Sequence, residues 1–142
     1  GSNMDADRMR GRGAPFSERR KAILKGYALK FNKRATGKKA KKGERKGNIV
    51  PDTNGVVEGA LYAIAEEGLE RLDEKEIGCC RVELPVERGG GATVNAWVYL
   101  AGPGLTKDGL KPTREYLTHL LAGREFLSPE YVQGLESVET LD

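Results

Sequence analysis

Histidine and cysteine are scarce in this sequence: His119 stands alone, and the only cysteines are the adjacent pair Cys79 and Cys80. Neighbouring cysteines make no disulfide framework, and one histidine with two cysteines falls short of the four ligands a zinc site needs, so no metal site is expected. His119, beside Leu120 and Leu121 with no identifiable serine or cysteine partner, reads as a structural or surface residue. The cysteines open a strand and read as small hydrophobes rather than reactive thiols. Aromatic residues make up only 6% of the chain, and the lysine-rich stretch has none on which a base could stack. No apolar run approaches the roughly 18 to 20 residues that span a bilayer, and no charged start followed by an apolar stretch marks a signal peptide. A soluble cytoplasmic protein without a membrane partner is expected. Neither glycine-rich stretch has the residue order of a phosphate loop, so nucleotide binding is not expected either.

What is present is one domain's worth of chain, residues 1–142, with 38% apolar residues. Its charge is divided unevenly. Residues 1–50 hold 16 Lys and Arg against 4 Asp and Glu, a balance of +12, and residues 51–142 hold 8 against 17, a balance of −9. Such a split fits a nucleic-acid surface, internal complementarity or a solvated loop. Lys33 to Lys46, with eight Lys and Arg and neither aromatics nor helical amphipathicity, reads as a mobile basic loop between strands.

Along the chain, Gly1-Ser2-Asn3-Met4, letters that a cleaved tag also leaves, precedes a polar, arginine-rich segment to Lys25 with Ser17-Glu18 as a turn signal. Tyr27, Leu29 and Phe31 alternate and predict a strand over Gly26–Phe31; Gly47–Pro51 predicts another, Asp52–Gly55 a turn, and Val56–Ile64 a buried strand in which Gly59 marks a bulge or a close backbone approach. Arg81–Val86 and Thr93–Leu100 flank three glycines as a hairpin, with Pro85 placing it near a sheet edge. Helices are expected from Pro112, with Tyr116, Leu117, Leu120 and Leu121 as the apolar face, and from Pro129, capped by Ser128. The fold class is therefore α+β, a small mixed or antiparallel sheet, curled or closed into a barrel, with flanking helices.

The segment from Ala65 to Gly78 reads as one helix ended by a glycine. At about 100° per residue, Leu72, Asp73 and Glu76 lie within about 60° of Leu69, whereas Glu67, Glu70, Glu74 and Lys75 point elsewhere. Glu76 thus shares a face with leucines that must be buried. A carboxylate aimed at a core is paired with a cation, neutral, or held there for chemistry, because an unpaired buried charge is too costly.

Several segments together resemble the gamma-glutamylcyclotransferase (AIG2-like) family. Gly1-Ser2-Asn3-Met4 is similar to the end of its Tyr-Gly-Ser-Asn-Leu/Met signature, and Leu72-Asp73-Glu74-Lys75-Glu76 to its Leu-Asp-x-x-Glu segment. Lys111–Tyr116 and Leu127–Tyr131 resemble its C-terminal pattern, and Gly47–Pro51 and Val57–Tyr62 its intervening strands. In that family an apolar strand ending in tyrosine precedes the signature, and the sequence given starts after it. The family also tends to carry a tyrosine where this chain has Cys79 and Cys80.

The resemblance implies an enzyme without metal or cofactor that cyclises a small-molecule γ-glutamyl compound to 5-oxoproline and releases the free amine. It implies Glu76 as the acid/base, Gly1, Ser2 and Asn3 as the loop that holds the glutamyl moiety, and Tyr116 as a substrate contact; a homodimer is an open possibility. The chemistry fits those residue types. The substrate's own α-amine is the tethered nucleophile, but as an ammonium it must first lose a proton to a base, and a glutamate serves best when burial tunes it toward neutral pH. Two rival readings stand beside this one: a basic module that grips nucleic acid through the Lys33–Lys46 loop, and a non-catalytic relative that binds a γ-glutamyl ligand or a partner.

Overall fold

The computed structural model describes residues 1–35, 40, 42–109 and 111–142. A one-turn 3-10 helix, Ser2–Met4, leads into α1 (Ala6–Gly11), whose start is capped by the Asp5 carboxylate accepting the Asp7 N–H. Two long strands follow, β1 (Phe16–Arg34) and β2 (Arg45–Ile64), then α2 (Glu66–Lys75). The hairpin β3 (Cys79–Arg88) and β4 (Thr93–Ala101) precedes α3 (Arg114–Leu121) and α4 (Pro129–Glu136). The strands form one antiparallel sheet in the order β2-β1-β3-β4. It curls but does not close, so of the two expected forms the curled sheet holds and the barrel does not.

β1 is three times the length expected for it. Its first half is full of arginine and lysine, which hid it, yet Ala22 and Leu24 turn inward to pack with Val86. Arg19 lies over the rings of Phe16 and Phe126, and Arg10 of α1 also covers Phe16. The turn expected at Asp52–Gly55 is an excursion within β2 rather than its end. Register runs from Lys25 opposite Val56 to Tyr27 opposite Pro51, so four residues of β2 oppose the single Gly26, whose φ is +85°. A Cβ on Gly55 would stand 2.3 Å from the Tyr27 carbonyl oxygen, so only glycine allows this approach. Bulges of this kind bend the β1–β2 ribbon and give the sheet its curl.

Two expectations for β2 fail. Gly59 pairs in register with Ala22 without a bulge and without a close backbone approach, since a Cβ there would meet the Met4 sulfur at an ordinary 3.8 Å, and Val56–Ile64 is an edge strand, half-exposed rather than buried. Pro85 is tolerated because β3 meets β1 only at Glu87 and Arg88, which leaves Pro85 paired on one side, to Asn95 of β4. The terminal helices form as expected, capped by Thr113 and Ser128, and Tyr116, Leu117 and Leu120 pack with Leu127 and Leu135. Ser128 in turn is gripped by Glu58 of β2, which accepts its N–H at 2.7 Å and its hydroxyl at 2.8 Å. No described helix is long and apolar enough to cross a membrane.

Candidate active site

The helix of the Leu-Asp-x-x-Glu stretch is shorter than its periodicity implies. It ends at Lys75, Glu76 is its C-cap, and Gly78 makes the turn into β3 with φ +79°. Leu72 is buried and Leu69 half-buried. Asp73, which the helical wheel places next to Glu76, turns outward to accept the Tyr99 hydroxyl at 2.6 Å and to pair with Arg81 at 3.3 Å. Ending the helix at Glu76 separates the two carboxylates and frees Glu76 to reach the opposite wall.

That wall is the start of the chain. Glu76 Oε1 accepts the Asn3 side-chain N–H at 3.0 Å and pairs with Arg12 Nη1 at 3.2 Å, with 19% of the glutamate side chain and 15% of the arginine exposed. Arg12 Nη1 also donates to Asn3 Oδ1 at 2.9 Å, so carboxylate, amide and guanidinium form a closed triangle. The Tyr62 hydroxyl donates to the Asn3 carbonyl at 2.7 Å and fixes the bend from the sheet side. Among the described residues, Glu76 Oε2 meets the Cys79 thiol at 3.7 Å. Burial pushes that thiol above its usual range, Glu76 adds to the effect and Lys33 opposes it, so the thiol stays protonated as a weak donor. Cys80, expected to be a buried hydrophobe, is exposed.

Tyr116 comes to the same place from α3. Its hydroxyl accepts the Gly47 N–H at 2.9 Å and lies 3.4 Å from where a Cβ on Gly1 would stand. Burial pushes this phenol up to about 12. One lone pair is used on Gly47, and the hydroxyl proton remains to be donated.

These groups line a cavity of about 1000 Å³ with an apolar side that includes Leu24, Leu29, Ile49, Val57 and Leu61. The sequence-derived candidates Gly1, Ser2, Asn3, Glu76 and Tyr116 all border it. So do Arg12, which was not among the candidates, and Lys33 and Lys46, which were expected at the ends of a basic loop. Arg8 and Arg12 repeat at helical spacing on α1, the one signal that marked them as sharing a face. Lys33 is only 7% exposed and donates to the Ile77 carbonyl at 3.1 Å. Burial lowers Lys46 from the usual lysine value, and Lys33, Arg8 and Arg12 lower it further against the pull of Glu44. The cavity wall is therefore rich in cations around the Glu76 carboxylate.

His119 is structural, as expected: Nδ1 meets Asp5 Oδ2 at 2.9 Å and Nε2 meets Arg8 Nη1 at 3.3 Å. Among the described residues no three His, Cys, Asp or Glu converge as metal ligands would. Of the expected basic loop, Lys38, Lys39 and Lys41 lie outside the described residues. Its ends do not behave as a solvated loop, since Lys33 and Arg45 are both buried at the strand termini.

Comparison with known proteins places this geometry. The sequence profile of the family described as gamma-glutamyl cyclotransferase, AIG2-like, matches residues 1–118. A solved gamma-glutamyl cyclotransferase superposes with a TM-score of 0.81 at 23% identity, over 100% of this chain and 86% of its own. An uncharacterized protein from Homo sapiens gives 0.81 at 24% identity, over 100% and 86%. YkqA from Bacillus subtilis gives 0.80 at 24%, with 99% of this chain covering 53% of that longer one. At such identities these structures speak to the fold. No curated protein matches the sequence.

Proposed function

Since the chain belongs to the gamma-glutamyl cyclotransferase, AIG2-like family, we propose that it cyclises a γ-glutamyl compound to 5-oxoproline and releases the free amine, without metal or cofactor and in the cytoplasm. The observation that carries this reading is the juxtaposition of Glu76 with the Gly1–Asn3 bend, tied by the 3.0 Å Asn3–Glu76 hydrogen bond at the edge of a cavity.

Each step uses a group present there. The substrate is held folded, so that its α-nitrogen lies against its own γ-carbonyl carbon and the reaction becomes intramolecular. Glu76 takes a proton from the α-ammonium, and the freed lone pair attacks the carbonyl, forming a C–N bond and a tetrahedral oxyanion. The oxyanion collapses, the bond to the original amide nitrogen breaks as Glu76 returns the proton to it, and the ring nitrogen gives up its second proton through the same carboxylate to the released amine, which departs as an ammonium. Glu76 Oε2, which among the described residues is engaged by the Cys79 thiol alone, is the oxygen suited to this transfer. Asn3 and Arg12 hold Oε1 and keep the carboxylate aimed. The backbone N–H groups of the Gly1–Asn3 bend and the Tyr116 hydroxyl are donors for the glutamyl carboxylate and the oxyanion.

An arginine beside a half-buried glutamate is also what a purely structural ion pair looks like. A structural pair gives no reason for the cavity beside it or for Tyr116 carrying a spare proton into the same space. Incubating the protein with γ-glutamyl-alanine and following 5-oxoproline and alanine by chromatography tests the reading: equimolar release is expected, and recovery of intact dipeptide would refute it.

A further inference from the structure

The start of the chain and α3 meet at a polar contact that the mechanism does not use. Asp5, which caps α1, and Arg8 and Arg12 beyond it are spaced three and four residues apart, so they share a face. Arg12, at one end of that face, holds Glu76 Oε1 and Asn3 Oδ1. Asp5 and Arg8, at the other, clasp the imidazole of His119, which stands one turn after Tyr116 on α3. Asp5 Oδ2 meets Nδ1 at 2.9 Å, while its other oxygen accepts the Asp7 N–H at the start of α1. Arg8 Nη1 meets Nε2 at 3.3 Å. A guanidinium only donates, so Nε2 must be the accepting nitrogen, and the ring proton sits on Nδ1, aimed at Asp5. Only the neutral ring can make both contacts. A proton on Nε2 would set one N–H against another and two cations 3.3 Å apart, which expels Arg8. Arg8 has little else to hold it, since its Nε is already buried without a hydrogen-bond partner among the described residues. Its carbonyl accepts the Arg12 N–H at 3.0 Å, so a shift of Arg8 carries the next turn with it. Burial, and then the charge of Arg8, lower Arg12 from the usual arginine value against the pull of Glu76.

We propose that His119 is a positioning residue for Glu76: its neutral ring locks α1 against α3 through Asp5 and Arg8, and protonation of Nε2 releases Arg8, slackens the Arg12 hold on Glu76 and slows cyclisation. The effect on rate rests on the cyclotransferase reading; the clasp does not. His119 touches no reacting atom and acts by seating two sides of the site against each other. The Gly1–Asn3 bend leads into α1, and α3 carries Tyr116, whose hydroxyl lies 3.4 Å from where a Cβ on Gly1 would stand. Among the described residues, Asp5 and Arg8 are the charged groups bonded to the ring. Asp5 favours a proton on it, whereas Arg8, with Arg12 and Lys46 of β2 within reach of its charge, opposes one. On α3 itself Glu115 lies one turn earlier. α4 packs on α3 through Leu135 and Val132, and of its carboxylates Glu130 stands in the first turn and Glu136 pairs with Arg124.

Because His119 is the only histidine, imidazole nitrogen NMR reads a single ring. At about pH 8 that ring is expected to carry its proton on Nδ1. A ring protonated on Nε2 instead overturns the proposal without any variant. On acidification the Asn3 side-chain amide, which donates to Glu76, is expected to shift with the midpoint of the ring, and kcat for γ-glutamyl-alanine to fall at that midpoint. His119→Gln, whose amide can donate to Asp5 and accept from Arg8 without titrating, is expected to erase that step from both the Asn3 signal and the rate profile. His119→Leu, which can do neither, is expected to lose about tenfold or more in kcat with KM changed less. An Asn3 titration that is the same in the native protein and in His119→Gln would sink the clasp. If ring and Asn3 titrate together in a protein that releases no 5-oxoproline, the clasp stands and the cyclotransferase reading fails. Turnover with an Asn3 signal indifferent to the ring has the opposite meaning.

Discussion

Tyr116 shows how one side chain serves structure and site together. Its ring packs in the helical core against Phe31 with ring centroids 6.4 Å apart, and its hydroxyl accepts the Gly47 N–H at the cavity edge. Tyr116→Phe keeps the packing and strands that N–H. The loss expected is about 1–2 kcal/mol by urea denaturation, the usual cost of a polar group left without its partner, together with a fall of about tenfold or more in kcat/KM for 5-oxoproline release. Unchanged stability and activity would remove the hydroxyl from both roles. At this scale the sequence was informative about Glu76, Asn3 and Tyr116 because they sit in short, ordered motifs. It was silent about Arg12 and read Lys33 and Lys46 as ends of a solvated loop, since a cation in a stretch crowded with cations carries no mark of which one turns inward.

Among the elements, α4 is fastened through its cap. Burial works to raise the Glu58 carboxyl, but the Ser128 N–H and hydroxyl, with Lys21, outweigh it and hold the group below its ordinary 4.5. A carboxylate so depressed adds stability that is complete above pH 4.5 and is lost as the pH falls through its lower folded value. Acidification below pH 4.5 is therefore expected to weaken the fold, and Glu58→Gln to remove about 1–2 kcal/mol at pH 7 and less at pH 3. Urea titrations at the two pH values measure the difference, and an equal effect at both would contradict it. Element lengths were the least legible part of the fold. Period-two alternation located the middle of β1, but its first half read only as polar and arginine-rich, because a side chain such as Arg19, which covers Phe16, is polar by name and apolar along its stem. α2 looked a turn too long because the 3.6-residue period continues through Glu76, although its backbone leaves the helix there.

For the whole molecule, the +12 and −9 halves are complementary. Arg12 pairs with Glu76, Lys21 with Glu58, Lys25 with Glu87 and Arg19 with Glu125, each bridge joining the basic part of the chain to the acidic part. Part of the asymmetry that suggested a nucleic-acid surface is taken up by these pairs, and Lys33 and Arg45 are buried at the ends of the ladder. Binding to a single-stranded RNA 20-mer in physiological salt is accordingly expected to be no tighter than about 10 μM; a submicromolar affinity that falls steeply with salt would favour the rival reading. The measurement that bears most directly on the central claim is 5-oxoproline release from γ-glutamyl-alanine by the native protein and by Glu76→Gln, with folding of both checked by thermal melting. The account requires turnover by the native protein and a loss of about a hundredfold or more in a variant that still folds. A folded Glu76→Gln that releases 5-oxoproline at the native rate would contradict it.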